Sequence, residues 1–154
     1  MKISEHFHLE ELVPKAIFQT YGAAAAQFID PRLIVLLEFE RSYFGKAITI
    51  NNWADGGELQ ERGFRHPVTG TGAVFSQHKF GRAVDRNISG ITPQEHYAVI
   101  LASTKLWLDK GLTTIENIAF TKTWTHADVR DTSGFLTTAG SSFQWHDGLL
   151  IVNP

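Results

Sequence analysis

A chain of 154 residues is long enough to bury a core within one domain, and 43% hydrophobic with 19% charged residues is the balance of a soluble globular protein. A net charge of −2 builds no field for nucleic acid or an anionic membrane, and no apolar run is long enough to span a bilayer. The absence of cysteine removes disulfides, thiol catalysis and cysteine-held zinc, so any metal must sit on His, Asp or Glu.

Met1–His6 has no apolar signal core, so synthesis in the cytoplasm without a signal peptide is expected. After Phe7, Leu9, Leu12 and Pro14, a short helical pattern runs to Tyr21-Gly22, where Gly22 can cap it; the small residues Ala23–Ala26 could also carry it on. Asp30-Pro31 is a helix start, an acid cap followed by proline at the first helical position. Leu33, Leu36, Leu37, Glu40 and Phe44 then recur at helical spacing up to Gly45.

Ala47–Asn51 alternates with period two and predicts a strand. Residues 52–75 form a long irregular stretch with apolar anchors at Trp53, Leu59, Phe64, Val68 and Phe75, which points to an ordered functional loop. Ser76–Gly81 is a turn or short helix feeding a strand over Arg82–Ile88. Thr92-Pro93-Gln94-Glu95 is a capping box, and Tyr97, Ile100, Leu101, Thr104 and Leu108 make one helical stripe ended by Gly111. Thr113–Ile118 and Thr123–Val129 read as two strands joined around Ala119–Lys122. The tail has turns at Gly134, Gly140 and Gly148 and a last strand at Leu149–Val152. Helices, then strands around one further helix, predict an α+β domain with a mainly antiparallel sheet covered by helices.

The chemistry concentrates in two stretches. His78 and Asp85 flank Gly81, which lets the backbone bend so that both side chains converge. On the later strand Trp124, His126 and Asp128 share one face by alternation. His78, Asp85 and His126 would supply the three protein ligands of a hydrolytic zinc site, which keeps a fourth position open. A His near an Asp is also common without a metal, and His6, His8, His66, His96 and His146 read as surface or hydrogen-bonded residues.

Ser76-x-His78-x-x-Gly81-x-Ala83-x-Asp85 matches the Ser-x-His-x-x-Gly-x-Ala-x-Asp signature of the zinc D-alanyl-D-alanine peptidases, and Trp124-x-His126-x-Asp128 resembles that family's second element. The family includes D-Ala-D-Ala carboxypeptidases and dipeptidases and the L-alanyl-D-glutamate endopeptidases (endolysins) of bacteriophages. The hedgehog signalling domain shares its fold. Phe7-x-Leu9-x-Glu11-Leu12 and the strand at 47–51 resemble the phage and prophage branch. The resemblance spans residues 1–130 of a single domain, with 131–154 as a C-terminal extension.

This resemblance implies a hedgehog-like fold, zinc on His78, Asp85 and His126, and action on peptidoglycan stem peptides at the bacterial cell wall or in a phage particle, with no nucleic-acid or membrane partner. Many relatives place a Glu three residues before the last ligand, or a His two before it, as the base. Here those positions hold Thr123 and Trp124. Glu116 is the best replacement, against the reading of an exposed strand carboxylate; Asp55, Glu58 and Glu61 are weaker ones. Arg62 and Arg65 occupy the region where relatives carry a carboxylate-binding arginine, or are solvated loop charges. Ser76 binds substrate or caps its turn, and Asp128 orients a ligand or pairs with Arg130. Trp124 walls the groove or packs in the core. A zinc module that recognises peptidoglycan or a protein without cutting, and a phage structural component, are the alternatives to a metallopeptidase.

Overall fold

A computed structural model describes residues 1–135 and 142–154; the turn expected at Gly140 lies outside them. Helix α1 (Lys15–Tyr21) breaks at Gly22, and the alanine stretch continues as a 3-10 helix over Gly22–Phe28. Helix α2 (Pro31–Phe44) begins where the Asp30 carboxylate accepts the Arg32 N–H, and ends at a left-handed Gly45. Strand β1 (Ile48–Thr49) is shorter than the alternating run at 47–51. Asn51 leaves the ladder because its backbone N–H donates to the Glu11 carbonyl and its side chain to that of Val13.

The stripe from Tyr97 to Leu108 is not one helix. It forms α3 (Pro93–Ala102), opened by the Thr92–Glu95 capping box, and α4 (Thr104–Leu108), parted at Ser103 with φ −136° and ψ 35°. The Thr104 hydroxyl donates back to the carbonyls of Ile100 and Leu101, at 3.2 and 3.0 Å, and so competes with the helical ladder.

The remaining strands are β2 (Ala83–Ile88), β3 (Thr114–Glu116), β4 (Thr125–Asp128), β5 (Phe143–His146) and β6 (Leu149–Val152). They make one six-stranded sheet in the order β1-β2-β4-β3-β6-β5, antiparallel throughout except for β3 with β6. The chain is therefore α+β, as its element order predicts. The connection between β3 and β4 is longer than the turn expected at 119–122. Asn117 donates its N–H to the Val152 carbonyl, so the end of β3 is held by β6 rather than β4. The tail joins the sheet through a β5–β6 hairpin whose turn, Asp147-Gly148, has φ of 48° and 87°, the backbone of a primed two-residue turn.

Register decides what each face carries. Asp85 lies opposite His126 and Arg86 opposite Thr125. One face of β2 and β4 thus holds Asp85, His126 and Asp128, and the other holds Val84, Arg86, Thr125 and Ala127. Helix α2 and Trp107 of α4 reach that second face: Arg86 bonds Glu40, and Glu40 also accepts from Trp107. Leu33, Leu36, Leu37, Ile88, Ile100, Ile115 and Ala127 are buried in the core cluster. No helix among the described residues is long and apolar enough to cross a membrane.

Candidate metal centre

His78 comes from the 3-10 turn Gln77–Phe80, and Asp85 and His126 face each other across β2 and β4. Gly81 sets the turn. Its φ is +67°, and an added Cβ would lie 1.7 Å from the Phe28 carbonyl oxygen, so close approach as well as backbone freedom demands glycine. His78 Nε2 is 3.3 Å from His126 Nδ1 and 3.4 Å from Asp85 Oδ1, and His126 Nδ1 is 2.9 Å from Asp85 Oδ1. Ligand atoms at ordinary zinc bond lengths in a tetrahedron are ~3.3 Å apart, so this triangle fits one face of such a site. All three residues are buried, and among the described residues this is the group of His, Asp and Glu that could hold a metal ion.

The far side of each ring is held. His78 Nδ1 lies 2.7 Å from the Gly63 carbonyl, and His126 Nε2 lies 3.2 Å from Asp128 Oδ2. A carbonyl must accept, so the His78 proton sits on Nδ1; the carboxylate favours the His126 proton on Nε2. The His78 lone pair then points inward, and a metal ion would take the place of the proton that His126 Nδ1 shares with Asp85. Gly63 is fixed in turn, because a Cβ there would meet the Leu12 carbonyl oxygen at 2.2 Å.

Burial opposes every charge here, and the neighbours outweigh it. Burial pulls the His126 imidazolium down, but Asp128, Asp85 and Glu116 push it up to about 10. Burial raises the Asp85 carboxyl, yet His78 and His126 hold it far below its ordinary range. Asp128 is lowered against burial by His126 and Arg130. Three carboxylates (Asp85, Glu116, Asp128) face two guanidiniums (Arg65, Arg130), so with neutral histidines the centre has the negative excess that a cation offsets.

The other expected residues fall into place unequally. Glu116 is not an exposed strand carboxylate: its side chain is 20% exposed and its Oε1 is 3.8 Å from His126 Nδ1. Asp55 is exposed in a separate 3-10 turn, and Glu61 accepts from the hydroxyls of Thr69 and Thr71. Arg65 is no solvated loop charge. It donates to Asp85 Oδ2 at 2.8 Å and to the Glu61 carbonyl at 2.6 Å. Arg62 donates to Asn87 and lies 5.7 Å over the Trp124 ring. Trp124 precedes β4 rather than belonging to it, and is half-buried against the cavity instead of packed in the core. Ser76 lines the same cavity and makes no side-chain cap to its turn. Asp128 does both things expected of it, bonding His126 and Arg130. His96 is buried on Glu40 and His6 bonds Glu38, in keeping with structural histidines.

The metal-facing cavity, about 570 Å³, is also lined by Gln77, Thr121 and Phe120. These had no signal in the sequence beyond lying beside the motifs, and the Gly63 carbonyl had none at all, since any residue type carries one. No family model, curated protein or solved structure matches the chain. The centre is therefore identified by its own geometry, as a buried His78–Asp85–His126 group that could hold a metal ion.

Proposed function

We propose that the chain is a zinc-dependent peptidase that hydrolyses peptide bonds in the stem peptides of bacterial peptidoglycan. The observation that carries the hydrolytic reading is Glu116, 3.8 Å from the inward nitrogen of His126 and on the same cavity. The substrate class rests on the resemblance of the Ser76–Asp85 and Trp124–Asp128 motifs to the zinc D-alanyl-D-alanine peptidases.

His78, Asp85 and His126 would hold the ion, which supplies Lewis acidity to polarise the scissile carbonyl and acidify a water. Glu116 accepts a proton from the attacking water as its oxygen bonds to the carbonyl carbon. It returns that proton to the departing amine nitrogen as the C–N bond breaks. Asp128 keeps the His126 ring turned inward, and Arg65 fixes the second oxygen of Asp85. Trp124 and Phe120 wall the cavity.

Digestion of purified peptidoglycan by the zinc-loaded protein, followed by mass analysis of the products, tests this reading. Released D-Ala or cut stem peptides are expected. Bound zinc with no cleavage would leave a recognition module. No bound zinc in the folded chain would leave a metal-free component, such as a phage structural protein.

A further inference from the structure

Resting on that reading, we infer that Thr121 is a substrate-binding residue: its hydroxyl, together with the Trp124 indole N–H and the Gln77 amide oxygen, exchanges hydrogen bonds with the main chain of a peptide in the metal-facing cavity. The first support is where Thr121 sits and how it is held. The β3–β4 connection carries it between Glu116 and His126. Asn117 donates its N–H to the Val152 carbonyl of β6, Asn87 of β2 donates to the Thr123 carbonyl at 2.8 Å, and Gln94 of α3 donates to the Lys122 carbonyl at 3.1 Å. The Trp124 N–H closes back on the Thr121 carbonyl at 3.3 Å. The connection is therefore fixed by neighbouring strands and a helix, and its side chains are presented in set positions.

The second support is what this well-bonded connection leaves unmatched. Asn117 has both ends of its side-chain amide engaged, with Asn153 and with the Ala119 N–H. Thr121, only 2% exposed, has no partner for its hydroxyl among the described residues, and Trp124 Nε1 has none either. Gln77 Oε1, on the turn that carries His78, is buried and unmatched in the same way. Thr121, Trp124 and Gln77 all line the metal-facing cavity. Buried polar atoms are nearly always satisfied, so orphans gathered around one cavity call for a ligand.

The third support is the chemistry of the set. An indole N–H only donates, an amide oxygen only accepts, and a hydroxyl does either. Such a set suits the alternating C=O and N–H groups of a peptide main chain, whatever side chains it carries and however it ends. A hydroxyl buried without a partner costs the free protein stability, so removing that of Thr121 should spare the fold and harm binding. A hydroxyl with a purely structural role would do the opposite.

The test titrates the synthetic stem peptide L-Ala-D-Glu-L-Lys-D-Ala-D-Ala into zinc-loaded Glu116→Gln, which should bind it without cutting, and into the same variant carrying Thr121→Val or Thr121→Ser. Calorimetry should show Kd about 10–100-fold weaker with valine and within about threefold of the parent with serine. Zinc content should be the same in all, and the urea unfolding midpoint of the valine variant no lower than its parent's. Unchanged Kd with valine, or a lowered midpoint with unchanged binding, would put the hydroxyl on a structural water and overturn the inference. A weakening that serine does not restore would mark a packing effect and overturn it too. Each of these leaves the peptidase reading standing, provided that zinc-loaded wild type cuts the peptide. A wild-type protein that neither binds nor cuts it would overturn both.

Discussion

Adjacent residues of β2 send their charges to opposite faces of the sheet, and the two destinations differ. Arg86 points to the helix side, where its guanidinium grips both oxygens of Glu40, while Trp107 Nε1 and His96 Nε2 reach the same carboxylate at 2.8 and 3.2 Å. Burial would raise the Glu40 carboxyl, but Arg86 and His96 hold it well below its ordinary range. Asp85, one residue earlier, points to the other side and meets two rings whose inward nitrogens face each other 3.3 Å apart. Both clusters are buried. The first satisfies its carboxylate with donors from the chain and opens on no cavity described above. The second brings two imidazoles and a carboxylate together beside a large cavity. Burial of charge is thus common to both clusters, and what sets the second apart is the cavity beside it.

That contrast can be broken from either side. Glu40→Ala leaves Arg86 buried without its partner, and a change of about 3–5 kcal/mol in unfolding free energy by urea titration is expected. The folded fraction should keep its full zinc content. Glu116→Gln should do the reverse: unfolding is nearly unchanged and zinc is retained, while turnover of stem peptides drops about 10²–10⁴-fold. Equal turnover would remove Glu116 from the mechanism. Asp128→Asn weakens the hold on the His126 ring, and zinc affinity by competition titration should fall about 10–100-fold.

A further effect is a pH dependence. In the metal-free protein His126 is pushed up to about 10 from its ordinary 6.5. A raised folded value means that the stabilisation is fully present below pH 6.5 and is lost as pH rises towards 10. Zinc must displace that proton, so its apparent affinity should climb with pH over the same window, by at most about tenfold per unit. Zinc-free and zinc-bound melting curves should therefore diverge as the pH is raised. Parallel curves would mean that the His126 proton does not compete with the metal.

Much of this was legible in the sequence where the cause is local. Asp30-Pro31 with Gly45, and Thr92 with Glu95, bounded helices through their own caps. His78 and Asp85 are joined by one tight turn, and strand alternation alone placed His126 with Asp128. Glu116 followed from the same alternation once its strand lay beside β4. What escaped depends on partners distant in sequence. The parallel addition of β6 to β3 lengthened the β3–β4 connection, and nothing near Ile118 signals it. The break at Ser103 turns on which acceptor a single threonine hydroxyl chooses. Glu40 sat visibly within an apolar helical stripe, yet its partners Arg86, His96 and Trp107 lie 46, 56 and 67 residues on.

The most direct test of the centre is the metal content of the purified protein after zinc loading and removal of excess, measured by elemental mass spectrometry beside His126→Ala. The triangle of His78, Asp85 and His126 predicts about one zinc per wild-type chain and none in the variant. A folded wild-type chain that retains no zinc, or a variant that retains as much as wild type, would contradict it.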